Sequence, residues 1–142
     1  MAWWRVKQVL NVVNGSTLLG LGVGVAGRCS FRSGPRGRLG EPVAGGDDQA
    51  APAFTVGNVV ITAHDRAWLD ARPRLVEHEE RHSWQYAACL GLPLVPLYLL
   101  AAGWSYLRGG DFGVHNPFER AAGLADGGYP VLSARARRRQ PA

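Results

Sequence analysis

His78-Glu79-Glu80-Arg81-His82 lies in the middle of the chain, well ahead of Asn116-Pro117-Phe118-Glu119-Arg120. On a helix, residues four apart share a face about one turn apart, so His78 and His82 can converge on one ion. Imidazole nitrogen suits zinc, whose catalytic sites take three protein ligands and leave a fourth position for water. Glu79 directly follows the first histidine. That puts a carboxylate beside the ion, where a base for activated water is needed. Glu119, 37 residues beyond His82, offers a further carboxylate on a later helix.

The flanking residues support a helix through the motif. Pro73 suits a first helical turn, and Leu75, His78, His82, Tyr86 and Cys89 recur at helical spacing until Gly91 and Pro93 end it. Glu77, Glu80 and Arg81 are expected to face water, and Gln85 and Asp126 are placed to orient the ligands. Leu94 to Leu107 predicts a second, apolar helix, and Pro117 to Leu124 a short one capped by Asn116. Upstream, Phe54 to Thr62 reads as one β-branched strand. Leu18, Leu21, Val23 and Val25 fit a strand running to about Arg28, and Ser33-Gly34-Pro35-Arg36-Gly37 is a turn. Residues 3–13 show no clean period. Strands followed by the motif helix make an α+β arrangement with a small antiparallel or mixed sheet.

At 142 residues and 15.3 kDa the chain predicts one domain, residues 1–132, with a Gly- and Pro-rich loop over 40–53 and an Arg-rich tail over 133–142. Apolar content of 46% against 19% charged excludes a disordered chain. Of the formal net charge of +5, four charges belong to Arg135, Arg137, Arg138 and Arg139, so the body is near neutral. No basic, aromatic-rich face accompanies the tail, and no nucleic-acid partner is expected. Cys29 and Cys89 do not make a disulfide framework, which fits a reducing, cytoplasmic setting; Cys89 reads as a buried apolar thiol.

Two segments raise the question of a membrane. Met1 to Gly27 has Arg5 and Lys7 ahead of an apolar, glycine-interrupted stretch, compatible with a poor signal peptide or an anchor. Ala87 to Leu107 is 21 residues without a charge, long enough for a span. Gly91, Pro93, Pro96 and Gly103 break it, and a span there would separate Glu119 from His78. A buried or interfacial helical hairpin fits better, with peripheral membrane contact through residues 87–107. Trp3-Trp4 suits either a membrane interface or packing over the sheet. His64-Asp65 reads as a turn, and Gly20, Gly22 and Gly24 do not match a dinucleotide fingerprint.

Phe54-Thr55-Val56-Gly57-Asn58-Val59-Val60, His78 to Ala87 (HEERHSWQYA) and Asn116 to Leu124 (NPFERAAGL) together resemble small actinobacterial H-E-x-x-H proteins. These are similar in turn to minimal gluzincin-type zinc metallopeptidase domains with an H-E-x-x-H-x-x-Q…N-x-F-E pattern. The resemblance covers the chain from Phe54 onward, and the N-terminal half more loosely through Asn14-Gly15-Ser16-Thr17. It implies a zincin-like fold, a zinc cofactor held by His78, His82 and Glu119, and Glu79 as general base. It further implies a peptide or protein substrate and a Tyr or His donor to the oxyanion, for which Tyr129 and His115 are the candidates. Two other readings stand beside it. One is a non-catalytic zinc-binding or membrane-peripheral interaction protein; the other is an integral membrane protein with an accidental motif.

Overall fold

A computed structural model describes residues 2–34, 37–42 and 53–129. The elements in order are α1 (Trp3–Val13), α2 (Ser16–Ala26), β1 (Cys29–Gly34), β2 (Gly37–Pro42), β3 (Phe54–Val56), β4 (Val59–Ile61), α3 (Arg66–Asp70), α4 (Pro73–Ala88), α5 (Leu94–Gly109) and α6 (Pro117–Ala122). The architecture is α+β. Most of the 40–53 loop and all of the Arg-rich tail lie outside the described residues.

The N-terminal quarter differs from its sequence reading. The stretch expected as a strand to Arg28 is the helix α2, and the aperiodic residues 3–13 form α1. Asn14 Oδ1 accepts from the Ser16 backbone N–H at 3.0 Å, starting the second helix after the turn at Gly15. Gly20 and Gly24, four apart, lie on the face turned to the sheet. A Cβ at Gly20 would sit 2.4 Å from the Val56 carbonyl oxygen, and one at Gly24 would sit 2.5 Å from the Phe31 ring. Each glycine costs a helix about 1 kcal/mol relative to alanine. Close contact between the α2 backbone and the sheet offsets that cost, so tertiary packing overrides local preference.

Phe54 to Thr62 is likewise two strands, not one. The chain reverses at Gly57-Asn58, where Gly57 has φ +62°, and Val56 pairs with Val59 across the hairpin. The sheet order is β1-β2-β4-β3. β1 and β2 pair antiparallel, β2 and β4 pair parallel, and β3 and β4 pair antiparallel. β3 is therefore an edge strand. His64-Asp65 begins α3: Asp65 accepts from the Trp68 N–H at 2.8 Å, and His64 stacks on Trp68.

The motif helix α4 begins at Pro73 as expected and packs on β3, α1 and α6. Its α1 contact is polar. Asn11 Nδ2 donates to Asn58 Oδ1 at 3.1 Å and to the Ser83 carbonyl at 2.9 Å, all within buried surroundings, and Asn58 Nδ2 donates to the Gln8 carbonyl at 2.8 Å. Fully buried Lys7 pairs with Glu80 at 3.5 Å, so Glu80 turns inward instead of facing water. Apolar packing forms two clusters, Leu69 with Leu75 at one end of α4 and Val56 with Tyr86 and Leu94 at the other. α5 buries only Leu94, Ala102 and Ser105, and leaves Leu99, Leu100, Trp104 and Leu107 exposed. No helix is long and apolar enough to cross a membrane among the described residues, although α1 and α2, bent by 74°, pass that test together.

Candidate metal centre

The i, i+4 spacing on α4 brings the two imidazoles together, with His78 Nε2 and His82 Nε2 3.0 Å apart. α6 delivers the third group. Asn116 Oδ1 caps that helix by accepting from the Phe118 N–H at 3.0 Å, and Glu119 in its first turn points back at α4. Glu119 Oε2 lies 3.0 Å from His78 Nε2 and 3.3 Å from His82 Nε2. All three residues are buried. They form a group able to hold a metal ion.

Ring orientation shows what this triangle needs. His78 Nδ1 lies 2.9 Å from the Gly123 carbonyl oxygen, which can only accept, so Nδ1 carries the proton. Gln85 Nε2 donates to the Phe118 carbonyl at 2.8 Å, which turns Gln85 Oε1 toward His82 Nδ1 at 2.9 Å, and that nitrogen is a donor as well. In both neutral rings the Nε2 atom then presents a lone pair, and Glu119 presents a third. A proton can bridge only one edge of such a triangle; a metal cation serves all three donors. A tetrahedral site with bonds of about 2.0–2.1 Å places donors about 3.3 Å apart, and the observed edges match that spacing. The partners on the far nitrogens are those that fix tautomer and orientation in histidine–metal sites.

The electrostatics agree. Burial pushes the Glu119 carboxyl up, but the facing imidazoles of His78 and His82, which share a proton with it in the absence of metal, and the Tyr98 hydroxyl outweigh burial and hold the group far below the usual carboxylate range. Burial pulls His82 down, yet the hydrogen bond and charge of Glu119 leave it raised. Glu79 is raised by burial, partly countered by the hydrogen bond it accepts from Thr55 Oγ1 at 2.6 Å and by the two imidazoles. Its affinity for a proton is therefore above that of an ordinary carboxylate.

The triangle opens into a cavity of about 640 Å³ between β3, α4, α5 and the segment after α6. Glu79 and Tyr129 line it. Tyr129 is pushed up to about 12 by burial and by the charges of Glu119 and Asp111. His115, the other expected oxyanion donor, does not line the cavity. Its Nε2 is buried against Gly109, with no hydrogen-bond partner among the described residues. The loop over residues 110–116, between α5 and α6, holds the ring beside Gly109. Asp126 acts at one remove, accepting from Arg81 at 2.9 Å while Arg81 also donates to the Ala122 carbonyl, which ties the end of α6 to α4.

One residue escaped the sequence reading. Tyr98 donates its hydroxyl proton to Glu119 Oε1, its ring stands edge-on to His82, and burial and Glu119 together push its hydroxyl far above the ordinary tyrosine range. Leu94, Tyr98, Ala102 and Ser105 recur at spacings of four, four and three, which is a helical stripe. A polar ring on that stripe, in a stretch that carries no charge before Arg108, is the available signal.

Comparison of the chain with protein-family models, curated proteins and solved structures finds no match.

Proposed function

We propose that this chain is a small zincin-like, zinc-dependent peptidase. The observation that carries the reading is the convergence of three lone pairs, on His78, His82 and Glu119, beside a buried proton acceptor that holds none of them in place. Zinc, when bound, supplies the Lewis acidity that lowers the pKa of a coordinated water toward neutrality and takes up oxyanion charge.

The chain's own groups divide the remaining work. Glu79 accepts the proton of the attacking water and returns it to the leaving amine, a role suited to a carboxylate raised by burial. Thr55 keeps that carboxylate in one rotamer. Tyr98 holds the second oxygen of Glu119, leaving Oε2 to coordinate. Tyr129, protonated at neutral pH and lining the same cavity, is the donor available to a developing oxyanion. A peptide substrate is supported by the edge strand β3, whose residues Phe54–Val56 line the cavity and whose outer backbone can pair with an extended chain. The apolar walls contributed by Leu75, Tyr86, Leu94 and Val95 favour apolar side chains.

A mixture of peptides digested by the zinc-loaded protein and read by mass spectrometry tests this. Cleavage should vanish in Glu79→Gln while zinc content stays at one per chain. Equal cleavage by the variant, or none by the zinc-loaded protein, would refute the assignment.

A further inference from the structure

We infer that the corner where the α1–α2 turn meets the α4–α5 turn is a docking surface for an anionic lipid bilayer, independent of the metal site.

The two turns are in contact. A Cβ at Gly91 would sit 2.4 Å from the Asn14 side chain, Leu92 Cδ1 lies against Gly15, and Asn14 Nδ2 donates to the Tyr86 carbonyl at 3.3 Å. Around that joint the side chains are apolar and face outward: Val13 is 80% exposed, Leu90 77% and Leu92 48%. Leu90 adopts φ +58°, a left-handed conformation that leucine takes unwillingly, and does so with its side chain in solvent. Packing within the chain does not account for a leucine there.

Three helices lead away from this corner, and each ends in an arginine. Arg5 lies near the start of α1, Arg28 follows α2, and Arg108 lies in the last turn of α5. Each is separated from the corner by about 12 Å or more of helix at about 1.5 Å per residue. Arg5 sits over the Trp4 ring at 5.1 Å and Arg108 over the Trp104 ring at 5.3 Å, so two of the three distal ends pair a cation with tryptophan. Residues 2–28 and 84–110 contain no Asp or Glu. Apolar side chains at an apex, with tryptophan and arginine set back from it, match the acyl and headgroup layers of a bilayer. A second copy of the chain fits less well. It would bring like-charged arginines together with no carboxylate on the same helices to pair them, whereas anionic headgroups supply the opposite charge.

Co-sedimentation of the full chain with phosphatidylcholine vesicles, with and without phosphatidylglycerol, tests the inference. Binding is expected to require phosphatidylglycerol, to weaken with salt, and to shift tryptophan emission to the blue. The Val13→Asp/Leu90→Asp double variant should lose binding by about tenfold or more. Arg5→Gln and Arg108→Gln should each lose about fivefold. Leu90→Asn, which accepts the left-handed backbone readily, gives a corner variant whose fold is protected, checked by circular dichroism. In the unaltered chain, acyl chains brominated near the headgroup should quench tryptophan. Binding unchanged in the corner variants overturns the inference. So does a failure to bind either vesicle, or a lipid-free dimer that Leu90→Asn dissociates.

Discussion

Replacing Glu119 with alanine is the most direct challenge to the three-donor site. Its Oε2 lies 3.0 and 3.3 Å from the two imidazole nitrogens, so truncation leaves two ligands where three converge. Four-ligand zinc sites show apparent binding free energies of about 10–16 kcal/mol, or about 3 kcal/mol for each ligand. At about 1.4 kcal/mol per decade, losing one donor should weaken binding by about two orders of magnitude. The assay is competition between chelator-stripped protein and a chromophoric zinc chelator, held above the pH at which His82 takes up a proton. Glu119→Gln, which keeps one oxygen donor, should fall between the alanine variant and the parent. Glu77→Ala, a half-exposed partner of Arg81 on the outer face of α4, should bind zinc as the parent does. An alanine variant whose affinity stays within about twofold of the parent would show that the carboxylate is not a ligand.

Tyr98→Phe removes the proton donor to Glu119 Oε1 and should weaken zinc by about 10-fold, measured by the same competition, because it loosens the ligand without removing it. Gly127→Ala should cost more affinity than its size suggests, since its Cβ would sit 2.5 Å from the His78 ring; zinc titration of the folded variant reads this directly. For the metal-free protein, His82 is raised above its ordinary 6.5, so its contribution is full below that value and fades as pH climbs through the folded pKa. Glu119 is depressed, so its contribution is present above its ordinary 4.5 and fades as pH falls through the folded pKa. Thermal melts in chelator should therefore peak between about pH 4.5 and 6.5, and the gain on adding zinc should grow toward neutral pH; a chelator profile that keeps rising past neutrality would count against the shared proton. Glu79→Gln should melt higher than the parent at pH 7 in chelator, because burial has raised Glu79 and its ionised form is costly, and the gap should close in acid.

The sequence made the motif helix legible because its signals are local: Pro73 at the start, histidines four apart, Gly91 at the stop. The α6 cap at Asn116 was readable for the same reason. The glutamate on it was read as a ligand only by resemblance, since no local pattern ties Glu119 to α4. What sequence could not show was chosen by distant neighbours. α2 is a helix because Gly20 and Gly24 meet Val56 and Phe31, residues that the pattern of leucines and valines around them does not reveal. The strand expected over 54–62 is a hairpin because Gly57 turns left-handed where β-branched residues on both sides suggested continuation. In the site itself, His78 and His82 take their orientation from the Gly123 carbonyl and from Gln85; the second of these was foreseeable one turn along α4, the first was not. His115 shares the residue type but not the place, because its loop belongs to the end of α5.

The hydrogen bonds from Asn11 to Asn58 and Ser83, and the Lys7–Glu80 pair, make α1 a brace for the helix that carries both histidines. Trimming the chain at Gly27, as its resemblance to a leader would invite, would strip Asn58 and Ser83 of a buried amide and pull a fully enclosed ammonium from beside Glu80. Recombinant work on the candidate metal centre must therefore carry the first helix along.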